Sequence, residues 1–163
     1  MGIPEFVKSV LEPWSSFYQG SKVLISLARF THLAGVLIGG GAAVAADRGS
    51  IQALREGPGF RGHHLTVLRR VHRVITGGLV LMGVSGLMML AADLKTFVRL
   101  WTFWIKMLLV AVLLVNGFAI TRIERTLRPD SPSGWAALGV TSRISFFLWI
   151  AVVLASAVLV LVA

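Results

Sequence analysis

Four stretches of this chain are each long and apolar enough to cross a lipid bilayer, and this restricts the fold more than any other feature. A helix needs about 20 mainly apolar residues to span the hydrocarbon core. The runs Val23–Ala46, Val71–Ala92, Leu100–Thr121 and Ile144–Ala163 meet that length. Lipid offers no hydrogen-bond partner to the backbone, so a spanning segment must be a helix or part of a closed barrel. The runs are continuously apolar and do not alternate, which selects helices. With 56% hydrophobic and 14% charged residues, the chain has too little polar surface for a water-soluble domain. The expected fold is an all-α integral membrane four-helix bundle, forming a single membrane domain over 1–163.

The joints carry breakers. Gly57-Pro58-Gly59 marks a first loop and Pro129–Gly134 a third. Between the second and third spans only Asp93–Arg99 remains, which predicts an antiparallel hairpin of those two helices. Ahead of the first span, Ile3, Phe6, Val7, Val10, Leu11 and Trp14 recur at intervals of three and four. This pattern predicts an amphipathic helix over about 3–18, lying in the membrane interface or docked on the bundle. A cleavable secretory signal is not expected, because no long apolar run precedes residue 23.

The net charge of +9 does not point to nucleic acid. Basic residues sit at the ends of the apolar runs, where they meet lipid headgroups and set orientation. Arg48, Arg55, Arg61, Arg69, Arg70, Arg73, Arg122, Arg125, Arg128 and Arg143 fall on one side, and Lys8, Lys22, Arg29, Lys95, Arg99 and Lys106 on the other. The excess predicts cytoplasmic first and third loops, with both termini outside. There is no cysteine, so disulfides, thiolate metal sites and covalent c-type haem attachment are excluded. Zinc-protease, phosphate-loop and serine-hydrolase signatures are absent.

Polar side chains at membrane depth cost free energy and need a reason. With a rise of about 1.5 Å per residue, Arg29 lies about 9 Å, His32 about 13 Å and Lys106 about 9 Å below the same boundary. Arg29 and His32 share a helix face. Two cations and an imidazole at one level suggest a bound anion, such as a haem propionate, a lipid phosphate or an acidic substrate. The plainer alternative is that the two long side chains snorkel to the headgroups while His32 hydrogen-bonds a neighbouring helix. His72 is expected at the interface, about 15 Å from the level of His32 and too far to share one haem with it. His63 and His64 read as loop residues. Met88, Met89 and Met107 fall in the same layer as His32, and thioethers with an imidazole favour Cu(I), although methionine also fills apolar gaps. Gly35, Gly39, Gly40 and Gly41 in the first span, with Gly77, Gly78, Gly83 and Gly86 in the second, predict either tight packing of the first two spans or room for a flat macrocycle. No span carries a central carboxylate, so a relay built on Asp or Glu is not expected.

Three groups of residues carry a family resemblance. The first span reads Thr31-His32-Leu33-Ala34-Gly35, followed later by Asp47-Arg48. The second opens on Leu68-Arg69-Arg70-Val71 and contains Gly83-Val84-Ser85-Gly86-Leu87. The third reads Phe103-Trp104-Ile105-Lys106-Met107-Leu108-Leu109-Val110, then Asn116-Gly117. This order resembles the membrane part of the copper-resistance D family and the haem-containing bacterial membrane protoporphyrinogen oxidase. By that resemblance His32 matches a first-helix histidine, Lys106 a third-helix lysine, and Arg69 or Arg70 an arginine ahead of helix two. It implies a bacterial inner-membrane protein, and joined to the depth reading it gives haem b at His32 with Arg29 and Lys106 pairing the propionates. Two other readings remain open: copper held by His32 with Met88, Met89 or Met107, and a cofactor-free accessory subunit that docks to a membrane partner or to its own copy. No reaction is assigned by any of the three.

Overall fold

A computed structural model describes residues 5–162, without the side chain of Lys8. Ile3 and Ala163, assigned above to the first and last helices, lie outside these residues. The described residues form helices, with no strand among them. Helix α1 spans Glu5–Gly20, α2 Lys22–Glu56, α3 Pro58–Ala92 and α4 Leu94–Arg99. Helix α5 spans Trp101–Thr126 and α6 Pro132–Val162. Of these, α2, α3, α5 and α6 are long and apolar enough to cross a membrane, as the hydropathy requires.

Local chemistry explains the breaks. Ser21 Oγ accepts from the Leu24 amide at 3.3 Å and starts α2. Asp93 does the same for Thr96 at 3.3 Å and starts α4. Only Gly57 separates α2 from α3, at φ +90°, a conformation that disfavours a side chain. Pro58 then takes the first turn of α3, where its missing amide hydrogen costs no helical bond. The first loop predicted around Gly57-Pro58-Gly59 is therefore a single residue, and His63 and His64 are helical. Both α2 and α3 have 35 residues, about 52 Å of helix, against a core about 30 Å thick. Their arginine-rich ends project past the hydrocarbon.

Helix α2 packs along its length on α3, and α5 on α6; the two pairs meet closely where Gly41–Glu56 of α2 lies on α6. The α2–α3 seam is made of glycine. A β-carbon at Gly35 would stand 2.8 Å from the Met82 nitrogen, and one at Gly39 2.9 Å from the Gly78 α-carbon. Between Gly35 and Gly41, α2 makes one π-helical stretch, Val36–Gly40, which contains Gly39. Helices α3 and α5 are joined by the short α4, as the hairpin expectation had it, but they are not among the helix pairs with close backbone packing. The glycine seam commits α3 to α2, and α5 finds its partner in α6.

Three apolar clusters stack along the bundle. At the basic end, where Gly57 and the α5–α6 loop lie, Ala53, Leu65, Leu68, Leu127, Trp135 and Leu138 pack together. Ala43, Leu113, Trp149 and Val152 form the middle. At the opposite end α1 docks on the bundle through Tyr18, against Ala28 and Ala92. Trp14 Nε1 donates to the Met88 carbonyl at 3.1 Å, and Ser15 Oγ to the Ala92 carbonyl at 2.7 Å. The Ala92 carbonyl, which lacks a helical partner at the end of α3, is satisfied in this way. Leu37, Val115, Leu154 and Val160 point outward and exposed, as side chains that face lipid must.

Candidate functional site

Most of the buried polar residues among those described lie toward the basic end. Asp47 of α2 is 5% exposed, Glu124 of α5 8% and Ser142 of α6 0%, with Ser50 and Ser145 also buried. Helical spacing selects them. Asp47 and Ser50 are three apart, as are Ser142 and Ser145, and Thr121 precedes Glu124 by three, so each helix turns a short polar stripe inward. Ser142 and Ser145 set their hydroxyls against the Asp47 carboxyl. The charges of Asp47 and of exposed Arg69 both act on Glu124.

A cavity of about 220 Å³ opens between α3 and α5, with α2 and α6 contributing the rest of its lining. Asp47, Glu124, His72, Thr121 and Ser145 line its polar part, and Leu79, Leu113, Phe118 and Trp149 its apolar part. The gap exists because α3 and α5 have separate packing partners. His72, expected as an interfacial residue, is half-buried in this lining.

His64 sits just behind. Its Nε2 lies 3.0 Å from Ser50 Oγ, which donates its own hydrogen to the Ala46 carbonyl at 3.0 Å. His64 therefore carries a proton on Nε2 and donates it to Ser50. Its ring stacks on Phe60 and leans on Trp135. This is a satisfied structural histidine, not a loop residue.

At the α1 end, His32 is half-buried and turned onto α3. Its Nδ1 lies 3.0 Å from the Met82 carbonyl and 3.2 Å from Ser85 Oγ. A carbonyl only accepts, so Nδ1 carries the hydrogen and Nε2 keeps a lone pair. Lys106 is half-buried and near enough for its charge to act on His32. Arg29 is exposed, so the expected trio reduces to two. The glycine expectation resolves toward packing: Gly35 and Gly39 face α3 backbone at Gly78, and Gly86 lies against the His32 ring. That leaves no glycine-made slot for a macrocycle at these positions. The 220 Å³ cavity and a 350 Å³ hollow along Ala42, Ala45 and Gly49 are both lined without His32. The methionines do not converge as a set. Met88 and Met89 are successive and diverge by about 100° around α3, and Met89 packs with Tyr18, Ala28 and Ala92. Among the described residues no group of three or more His, Asp or Glu could hold a metal ion.

The sequence reading missed Asp47 and Glu124 because each follows the last residue or turn of an apolar run. The signal was present as the three-residue spacing of polar groups continuing the helix beyond those runs. No protein family, curated protein or solved structure matches this chain.

Proposed function

We propose that the protein binds a small amphiphile, carrying a cationic or hydrogen-bond-donating head, in the cavity between α3 and α5. One observation carries this reading: Asp47 and Glu124 come from distant parts of the chain and are both buried at a single cavity whose other wall is apolar. Ionisable groups buried in a membrane bundle are expensive, and they are typically retained for a ligand, ion or proton. The head would meet Glu124, Thr121 and His72, while the body would lie along Leu79, Leu113 and Trp149. We place the protein in a bacterial inner membrane with the basic end toward the cytoplasm, on the strength of the arginine excess. The ligand would then enter from the inner leaflet.

Trp149 in the cavity wall supplies the test. A brominated long-chain amine, titrated into the protein in nanodiscs, should quench a fluorescence component that Trp149→Phe removes. Glu124→Gln should weaken that quenching about ten-fold, the loss expected for one charge-assisted hydrogen bond. If the brominated alkyl sulfate of equal length binds as well as the amine, the acidic cavity is not the recognition element.

A second reading rests on His32. Its Nδ1 is pinned by the Met82 carbonyl and Nε2 is left with a free lone pair, an arrangement common in metal-ligating histidines. His32 could ligate haem b or copper, with Lys106 as a cation for a propionate; haem, when bound, would supply one-electron chemistry. The residues fit a metal-ligating imidazole better than they fit a preformed macrocycle slot. Purified protein expressed with ample haem should then show a Soret band that shifts on dithionite reduction and is lost in His32→Ala. A flat spectrum together with no copper by elemental analysis would remove this reading and leave the first intact.

A further inference from the structure

Past the glycine seam, α2 and α3 leave a space that their own side chains do not fill. Gly39 lies on Gly78. Toward the basic end, α2 then presents Ala42, Ala45 and Gly49 where α3 presents Val67, Val71 and Val74. The 350 Å³ hollow between them is apolar apart from His64, whose ring lies against Gly49. It shares only Ala46 and Leu68 with the lining of the acidic cavity. Its mouth is on the side where Ala45, Val67 and Val74 are exposed. Helix register gives its depth. Carried on from Gly39 and Gly78, the antiparallel pairing sets Ala46 level with Val71. At these two residues the apolar runs of the two helices end, so the hollow straddles the boundary of the hydrocarbon. The same register puts Arg48 within about 1.5 Å of the height of Arg70. Arg48 is three residues past Ala45, and Arg70 lies three past Val67 and four before Val74. Each arginine therefore borders the mouth from its own helix. Both are exposed. The acids near them on α2 are engaged elsewhere: Asp47 lines the other cavity, and Glu56 accepts from Gln52 Nε2 at 2.6 Å.

We propose that this hollow is a binding site for one anionic phospholipid of the leaflet at the basic end. Arg48 and Arg70 hold the phosphate between them, since a guanidinium presents paired donors that match phosphate oxygens. One acyl chain lies down the hollow, past Val71 to Ala42 and Val74. Two positive charges at headgroup level select a head with net negative charge over a zwitterionic one. A second copy of this chain is a poorer occupant. A two-fold interface at this face would set the same two arginines against their own counterparts. The site is separate from that of the amphiphile, which meets Glu124 between α3 and α5.

The test is thermal unfolding of the purified full-length protein in detergent, titrated with dioleoyl phosphatidylglycerol or dioleoyl phosphatidylcholine. A ligand that binds only the folded state raises the unfolding temperature. Wild type should gain several degrees with phosphatidylglycerol, saturably, and much less with phosphatidylcholine or inorganic phosphate. The double variant Arg48→Gln, Arg70→Gln alters two exposed side chains, so it should unfold as wild type does without lipid and lose the gain with it. Arg125→Gln with Arg143→Gln removes two exposed charges from α5 and α6 and should keep the gain. Ala45→Phe fills the mouth while leaving both arginines, and should lose the gain too. An equal gain with phosphatidylcholine or with inorganic phosphate overturns the proposal. So does an equal loss in the two double variants, which would mean attraction to the basic end as a whole, or a full gain in Ala45→Phe. Glu124→Gln should keep the lipid gain, so failure here leaves the amphiphile titration unaffected.

Discussion

Trp135 shows how much of the basic end depends on single side chains. It is fully buried, its Nε1 donates to the Arg128 carbonyl at 2.9 Å, and Arg61 lies 5.2 Å above its ring. Trp135→Ala should cost about 3–5 kcal/mol through the cavity it leaves. Trp135→Phe keeps most of the ring but removes the indole bond to the Arg128 carbonyl, which retains only the Ser131 amide at 3.2 Å, and should cost about 1 kcal/mol beyond the small packing loss. Denaturation of both variants in one detergent checks the order. His64 makes a second case. A β-carbon at Gly49 would stand 2.6 Å from its Cε1, so Gly49→Ala must displace the imidazole from Ser50. That variant should be destabilised, whereas Gly77→Ala, with nothing within 4 Å of its new methyl group, should be neutral or slightly stabilising.

Among the elements, the α2–α3 seam is the most exacting. Gly39 and Gly78 bring two backbones together, and any side chain at Gly78 meets main-chain atoms of α2. Gly78→Leu should separate the helices and cost at least about 1–3 kcal/mol, read as a lowered unfolding temperature; Gly83→Leu, at an open position, is the control. The four spans were legible because lipid imposes length and hydropathy on a helix. Which helix lies beside which was not. Lipid-facing and protein-facing residues are equally apolar, so periodicity cannot tell them apart. Small residues do mark a seam, and Gly35 and Gly39 pointed correctly to tight packing of the first two spans. The ends of the helices were misplaced for a different reason. Apolar runs stop at the membrane boundary, but α2 continues ten residues past Ala46 to Glu56. Asp47 and Ser50 were thus hidden outside the spans, and Pro58 was read as part of a loop rather than as the first residue of α3.

For the whole molecule, what matters is that two helix pairs touch closely over only part of their length. The contact of α2 with α6 carries the buried carboxylate and hydroxyls, while the gap between α3 and α5 opens beside it. The layer of Arg29, His32 and Lys106, which the sequence made most conspicuous, lies toward the other end. There the structure brings His32 and Lys106 near each other but leaves Arg29 at the surface. Membrane depth alone thus singled out one polar layer, and the larger one became visible only when the helices were followed past the hydrocarbon. Helix α1 adds an independent check on the assembly. Ser15→Ala and Trp14→Phe remove two of its three hydrogen bonds to the end of α3, leaving that of Gln19 to the Ala92 carbonyl. They should speed proteolysis ahead of Lys22 without changing the unfolding of the bundle.

The central claim is that the cavity beside Asp47 and Glu124 is a binding site for an amphiphile with a positive or donating head. Because the chain has no native cysteine, one introduced thiol reports on the cavity without background. Thr121→Cys places it in the lining, and Val153→Cys places a control on the exposed face of α6. The measurement is the rate of maleimide labelling at each position with and without dodecylamine. The account predicts that the amine slows labelling at residue 121 severalfold, leaves residue 153 unchanged, and loses its effect in Glu124→Gln. Equal labelling of residue 121 with and without the amine would contradict it.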